Sequence, residues 1–326
     1  MRISTVAALS IGLVQSLGAQ TQRVVNTPDA PPPRAIQLDG LVEVKLEPSG
    51  IPNTTLPVVL VMINGRGPFR AAIETGAGFV GATKGIADSV AGRLIGAQDG
   101  HNDYLVDSIR VGGVRFDGVT LSELPRLAKG VDLILGLSLF QDVLLTIDYP
   151  ASVVRMSRDS LPVPNGRDVL ALTRVGPFWG VPMNLGGQDV TAVLDTRSAA
   201  PNMSTSPAVA ATLTFVDSLR VVGRSVGVGF ASTEVRQGQL AGDIRLGAYT
   251  FPHPILSVRE LPPGFPTNPL LGDALLHHFE VSLDQRHARL GLRRRGDPTI
   301  VLPGSQRGTA EGGSAAAGDT RTAAPG

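Results

Sequence analysis

The chain has 326 residues, with 39 Gly, 25 Pro, 17% charged residues and 4% aromatics. That turn-rich, charge-poor make-up fits a β-rich globular protein better than a helical bundle or a disordered chain. A net charge of +1 gives no global field toward nucleic acid or acidic lipid, and the absence of cysteine rules out disulfides, thiolate nucleophiles and cysteine metal sites.

Residues 1–19 read as a signal peptide. Arg2 precedes an apolar run from Ile3 to Val14, and small residues lie ahead of Gln20. The run is too short for a comfortable bilayer span. This predicts a periplasmic or secreted protein with no stable membrane span after signal removal. Residues 20–39, with Pro28 and Pro31 to Pro33, read as an extended linker, because proline fixes φ and removes a donor.

The next stretch, 40–160, reads as a first lobe. A strand from Pro57 to Ile63 meets Asn64-Gly65, a hairpin turn signal, and a second apolar strand runs from Phe69 to Ile73. There follow Glu74-Thr75-Gly76-Ala77, a helix over Ile86 to Leu94, a hairpin over Ile95 to Val106 with Asp99-Gly100 at its tip, and the step Ile134-Leu135-Gly136. Residues 161–176 break regular structure at Pro162, Pro164-Asn165-Gly166 and Gly176.

Residues 177–296 repeat the plan. Val181 to Leu185, Gly186-Gly187 and Val190 to Leu194 form a hairpin signal that leads into Asp195-Thr196-Arg197-Ser198. Ser206-Pro207 caps a short helix over Ala208 to Leu213, Val226 to Phe230 and Arg236-Gln237-Gly238 flank a second flap hairpin, and Leu270-Leu271-Gly272 closes the pattern. Residues 133–158 and 269–294 align without a gap, pairing Gly136 with Gly272 and Asp148 with Asp284. Residues 297–326, rich in Gly, Ala, Ser and Thr from 303 onward, read as a disordered tail.

Two carboxylate-Thr loops, each after a hairpin and before an apolar-apolar-Gly step, resemble the two-lobed aspartic peptidases, closest to the bacterial retropepsin-like proteins. The resemblance spans about residues 40–295. It implies an all-β, bilobal acid-protease fold of two pseudo-symmetric barrel-like lobes with short helices. It also implies an exported aspartic-type endopeptidase that acts as a monomer on a peptide or protein substrate, with no cofactor and no nucleic-acid partner. Hydrolysis without metal or nucleophile needs one base to activate water and one acid for the leaving side. Two carboxyls about 3 Å apart cannot both ionise easily and share a proton, as in the aspartic-protease dyad that is the standard instance of this effect.

By position, the resemblance makes Glu74 and Asp195 the dyad. Thr75 and Thr196 bond across to the opposite loop, Gly76 and Ala77 with Ser198 shape the loops, and Gly136 and Gly272 pack over them. Tyr104, in the first flap hairpin, is a candidate substrate contact or an ordinary strand aromatic. Two positions depart from the family pattern: Glu74 stands for Asp and Arg197 for Gly. Glu74 is one methylene longer, and a displacement of about 1 Å can cost roughly 10²-fold in rate. Arg197 either bridges to Glu74 and holds it ionised, or swings outward and leaves only its backbone in the glycine role. The alternative function is a degenerate pseudopeptidase that binds an extended peptide or envelope partner in the inter-lobe cleft. The five histidines show no metal-ligand spacing, and no metal site is expected.

Overall fold

A computed structural model describes residues 30–51, 54–98, 101–198, 203–225, 232–261 and 265–305. The proposed signal peptide, linker residues 20–29, the Asp99-Gly100 tip, the stretch Val226 to Phe230 and the tail from 306 onward lie outside the described residues.

The protein is all-β and bilobal, with barrel-like lobes and short helices. In the first lobe the hairpin Val58–Ile63 and Arg66–Glu74 turns at Asn64 and Gly65, whose φ values of 49° and 74° suit a tight mirror-image turn. Six strands close on themselves: Val114–Leu124, Val80–Thr83, Leu133–Gly136, Arg66–Glu74, Val58–Ile63 and His101–Val111, which pairs back with Val114–Leu124. Closure leaves fewer unpaired edges, and the barrel is filled by Ile63, Ile73, Ile109, Phe116, Leu121 and Leu135. In the second lobe the hairpin Phe178–Leu185 and Gln188–Leu194 turns at Gly186 and Gly187, both with positive φ. Its sheet stays open, and Leu185, Leu194, Leu240, Phe251, Leu271 and Phe279 form its core.

A six-stranded sheet joins the lobes, in the order Val169–Ala171, Arg289–Arg293, Glu280–Asp284, Leu144–Asp148, Val153–Ser157, Val42–Lys45. At its centre Thr146 faces Ser282, two residues that the gapless alignment makes equivalent, and their hydroxyls lie 2.8 Å apart.

Several elements depart from the sequence reading. The first helix is Lys84–Ser89, because Ala91 takes a positive φ of 55° and Gly92 follows; Arg93–Gln98 is then a strand with Leu94 exposed. The second helix is only Pro207–Ala210, with Ser206 Oγ accepting from the Val209 N–H at 3.3 Å. Within the Pro-rich stretch, Ala35–Gln37 pairs with the strand Val114–Leu124. Ile300 and Leu302, in the stretch read as tail, are buried in the second core, which repays their ordering. No helix among the described residues is long and apolar enough to cross a membrane.

Candidate active site

The strand Arg66–Glu74 runs parallel to Leu133–Gly136, with Glu74 opposite Gly136. The strand Gln188–Leu194 runs parallel to Leu270–Leu271, and the Asp195 N–H donates to the Leu271 carbonyl at 3.0 Å. Each carboxylate therefore leaves the buried end of a strand. Each loop then turns the same way: the Ala77 N–H reaches the Glu74 carbonyl at 3.3 Å, and the Ser198 N–H reaches the Asp195 carbonyl at 3.0 Å.

Gly136 and Gly272 allow the apolar-Gly steps to press on these loops. A Cβ at Gly136 would overlap the Phe79 and Ala77 carbonyls, and one at Gly272 would overlap the Ser198 carbonyl. Ala77 and Ser198 are both buried at these contacts. Gly76 faces the other lobe, where a Cβ would stand 2.7 Å from Asp195 Oδ1. Close approach of backbone to carboxylate is the reason for glycine here.

The threonines join the loops. The Thr75 N–H donates to Thr196 Oγ1 at 3.1 Å, and the Thr196 N–H donates to Thr75 Oγ1 at 2.9 Å. Thr196 Oγ1 also donates to the Ile73 carbonyl at 2.8 Å. Both residues are buried, so two inter-lobe backbone donors are satisfied only across the pair.

Arg197 turns inward. Its N–H donates to Asp195 Oδ1 at 3.0 Å, while Nη1 lies 3.3 Å from Glu74 Oε1 and 3.5 Å from Oε2. The Glu74 side chain is 8% exposed and that of Arg197 is 35% exposed, so the pair sits at the wall between protein and solvent. Burial pushes the Glu74 carboxyl above its usual range; Arg197 opposes this and the Asp195 charge adds to it. Burial likewise pushes Asp195 up, against the pull of Arg197 and its N–H and of Arg259, with Asp273 adding to the rise. Burial lowers Arg259, the charge of Asp195 opposes that, and Arg197 adds to it.

Glu74, Thr75, Gly76, Thr196, Arg197 and Asp195 thus come together between the lobes, with Ala77, Ser198, Gly136 and Gly272 behind them. Tyr104 does not join them. It is 6% exposed within the first core, and its hydroxyl lies 3.3 Å from Glu123 Oε2. The alternating burial of His101–Val111 turns it inward, which corrects its reading as a substrate contact. Sequence reasoning missed Arg259 and Asp273. Asp273 directly follows Gly272 and was available as a signal; Arg259 ends an ordinary strand, Ile255–Arg259, and carried none.

Among the described residues no group of three or more His, Asp or Glu side chains is placed to hold a metal ion. The His277 and His278 rings stack 3.9 Å apart, and burial, with the charges of His277 and Arg294, pulls His278 down to about 4.

No protein-family model and no curated protein matches the chain. Among solved structures, a retropepsin-like aspartic protease from Rickettsia conorii is similar, with 16% sequence identity, a TM-score of 0.29, and coverage of 37% of this chain and 91% of that one.

Proposed function

We propose that the protein is a peptide-binding member of the aspartic-peptidase architecture in which Arg197 has withdrawn the dyad from acid–base use. The observation that carries this reading is the Arg197 guanidinium on both oxygens of Glu74, at 3.3 and 3.5 Å. A shared-proton dyad needs one carboxyl free to take and return a proton beside the other. The guanidinium pulls Glu74 toward its ionised form, against the burial that raises it, and occupies both of its oxygens. The cleft keeps its use as a receptor for an extended peptide, gripped through backbone hydrogen bonds. Export to the periplasm or beyond is part of the proposal and rests on residues 1–19 alone.

A second reading, hydrolysis as an exported aspartic-type endopeptidase, is favoured by the threonine lock and by the burial that raises both carboxyls. One experiment separates the two. A peptide library is incubated with wild type, Asp195→Asn and Arg197→Gly at acidic and neutral pH, and peptide binding is measured in parallel. The expected outcome is binding without cleavage in wild type and cleavage in Arg197→Gly. Wild-type cleavage that disappears in Asp195→Asn would overturn the proposal in favour of the enzyme. Silence with no binding would overturn both.

A further inference from the structure

Asp273 is the first residue of the short helix Asp273–Leu276, directly after Gly272. It is 3% exposed, which is rare for a carboxylate without strong partners. Its partners come from the other lobe. Asp273 Oδ2 accepts from Thr54 Oγ1 at 2.7 Å and from the Thr55 N–H at 2.8 Å, with Thr55 Oγ1 at 3.4 Å. Thr54 is itself fixed, since its Oγ1 accepts from the Leu56 N–H at 3.1 Å, and Leu56 leads into the strand Val58–Ile63 of the first barrel. On the side of Asp273, the chain runs back one residue to Gly272, whose backbone is pressed against Ser198 in the Asp195 loop.

We propose that Asp273 is a positioning residue for the candidate site. It clamps residues 54 and 55 of the first lobe to the strand end that supports the Asp195 loop, and it places a third carboxylate charge behind that loop. The threonine lock fixes the two carboxylate loops to each other at the front. The Asp273 clamp fixes the same two lobes from the side of the apolar-Gly step, so the cleft is held at two points.

The surroundings define what else acts on these groups. Asp195 feels Arg197, Arg259 and Asp273, and it in turn acts on Glu74. Around Asp273 stand Thr54, Thr55, His277, whose N–H and Nδ1 lie 2.8 and 3.0 Å from the Asp273 carbonyl, and Tyr149. The Tyr149 hydroxyl is buried with no hydrogen-bond partner; burial first and then the Asp273 charge push its proton affinity up. Asp273 thus acts as a like charge on Asp195, in a place where the charged arginines work the other way.

The test reads Asp195 directly, by carbon NMR of its side-chain carboxyl across a pH titration of the full chain. Asp273→Asn keeps an acceptor for Thr54 and Thr55 and removes only the charge. It is expected to lower the Asp195 midpoint by about half a unit or more, roughly a threefold loss of proton affinity. Thr54→Val removes one donor that screens Asp273 but leaves the Thr55 donors to hold the clamp, so it is expected to leave the midpoint in place or raise it. A merely structural role predicts that both variants loosen and hydrate the site and shift Asp195 downward together. That outcome, or an unchanged midpoint in folded Asp273→Asn, would overturn the proposal. Thr54→Ser, which keeps the hydroxyl donor to Asp273 Oδ2, is expected to titrate like wild type. None of these readouts depends on peptide cleavage or binding, so they stand apart from the test of the proposed function.

Discussion

At Asp195, burial and charge pull in opposite directions, and burial prevails. A carboxyl whose folded pKa lies above its unfolded value binds more protons in the folded state between the two. Stability therefore falls as pH rises from the unfolded pKa, near 3.9, and the cost is complete only above the folded one. Asp195→Asn removes that cost, and its Oδ1 still accepts from the Arg197 N–H. The variant is expected to be more stable than wild type at pH 7, with the gain vanishing toward pH 3, as measured by urea unfolding at both. A pH-independent difference would mean that Asp195 carries no burial penalty. Asp195 and Glu74 were legible from the sequence because a carboxylate after an apolar strand, followed by Thr, is a local pattern. The direction of the Arg197 side chain was not, because several rotatable bonds separate its guanidinium from the backbone. Only the other lobe, with Glu74 in place, selects the inward path. Arg259 is invisible for a related reason: it approaches Asp195 from a strand with no motif of its own.

Three hydrogen bonds tie the two carboxylate loops to each other. Thr196 gives one hydrogen bond to the Ile73 carbonyl and receives one from the Thr75 N–H, all of it buried. Thr196→Val keeps the shape and removes both bonds. It strands a donor and an acceptor, each of which costs about 1–3 kcal/mol when left unpaired. A loss of roughly 2–6 kcal/mol in unfolding free energy is expected, while Thr196→Ser, which keeps the hydroxyl, loses under about 1 kcal/mol. A Thr196→Val variant as stable as Thr196→Ser would show that packing, not hydrogen bonding, joins the loops. Hairpins were readable at this scale because Asn64-Gly65 and Gly186-Gly187 supply the positive φ that the turns need. Helix ends were not. The helix expected over Ile86 to Leu94 ends at Ser89, where Ala91 adopts a conformation that alanine rarely takes, and only the fold around it compels that.

Over the whole molecule, the two cores meet through one sheet. The strand Leu144–Asp148 belongs to a segment packed in the first core, and its neighbour Glu280–Asp284 belongs to the second; five residue pairs bind them side by side. Two further ties, the threonine lock and the Asp273 clamp, cross between the lobes. If these links are strong compared with the stability of either lobe, neither lobe can melt alone. Phe279 tests this. It is fully buried in the second core, it makes edge contacts with Tyr249 and Phe251, and its carbonyl accepts from the Tyr149 N–H at 3.3 Å. Phe279→Ala leaves a cavity and is expected to cost about 3–5 kcal/mol. In calorimetry the whole endotherm should move down as a single peak, because the second lobe cannot unfold without freeing Leu144–Asp148 and the Asp195 loop from their partners. A split endotherm, with one transition lowered and the other unchanged, would show that the lobes are separable units and that the cleft between them owes its geometry to the loops alone.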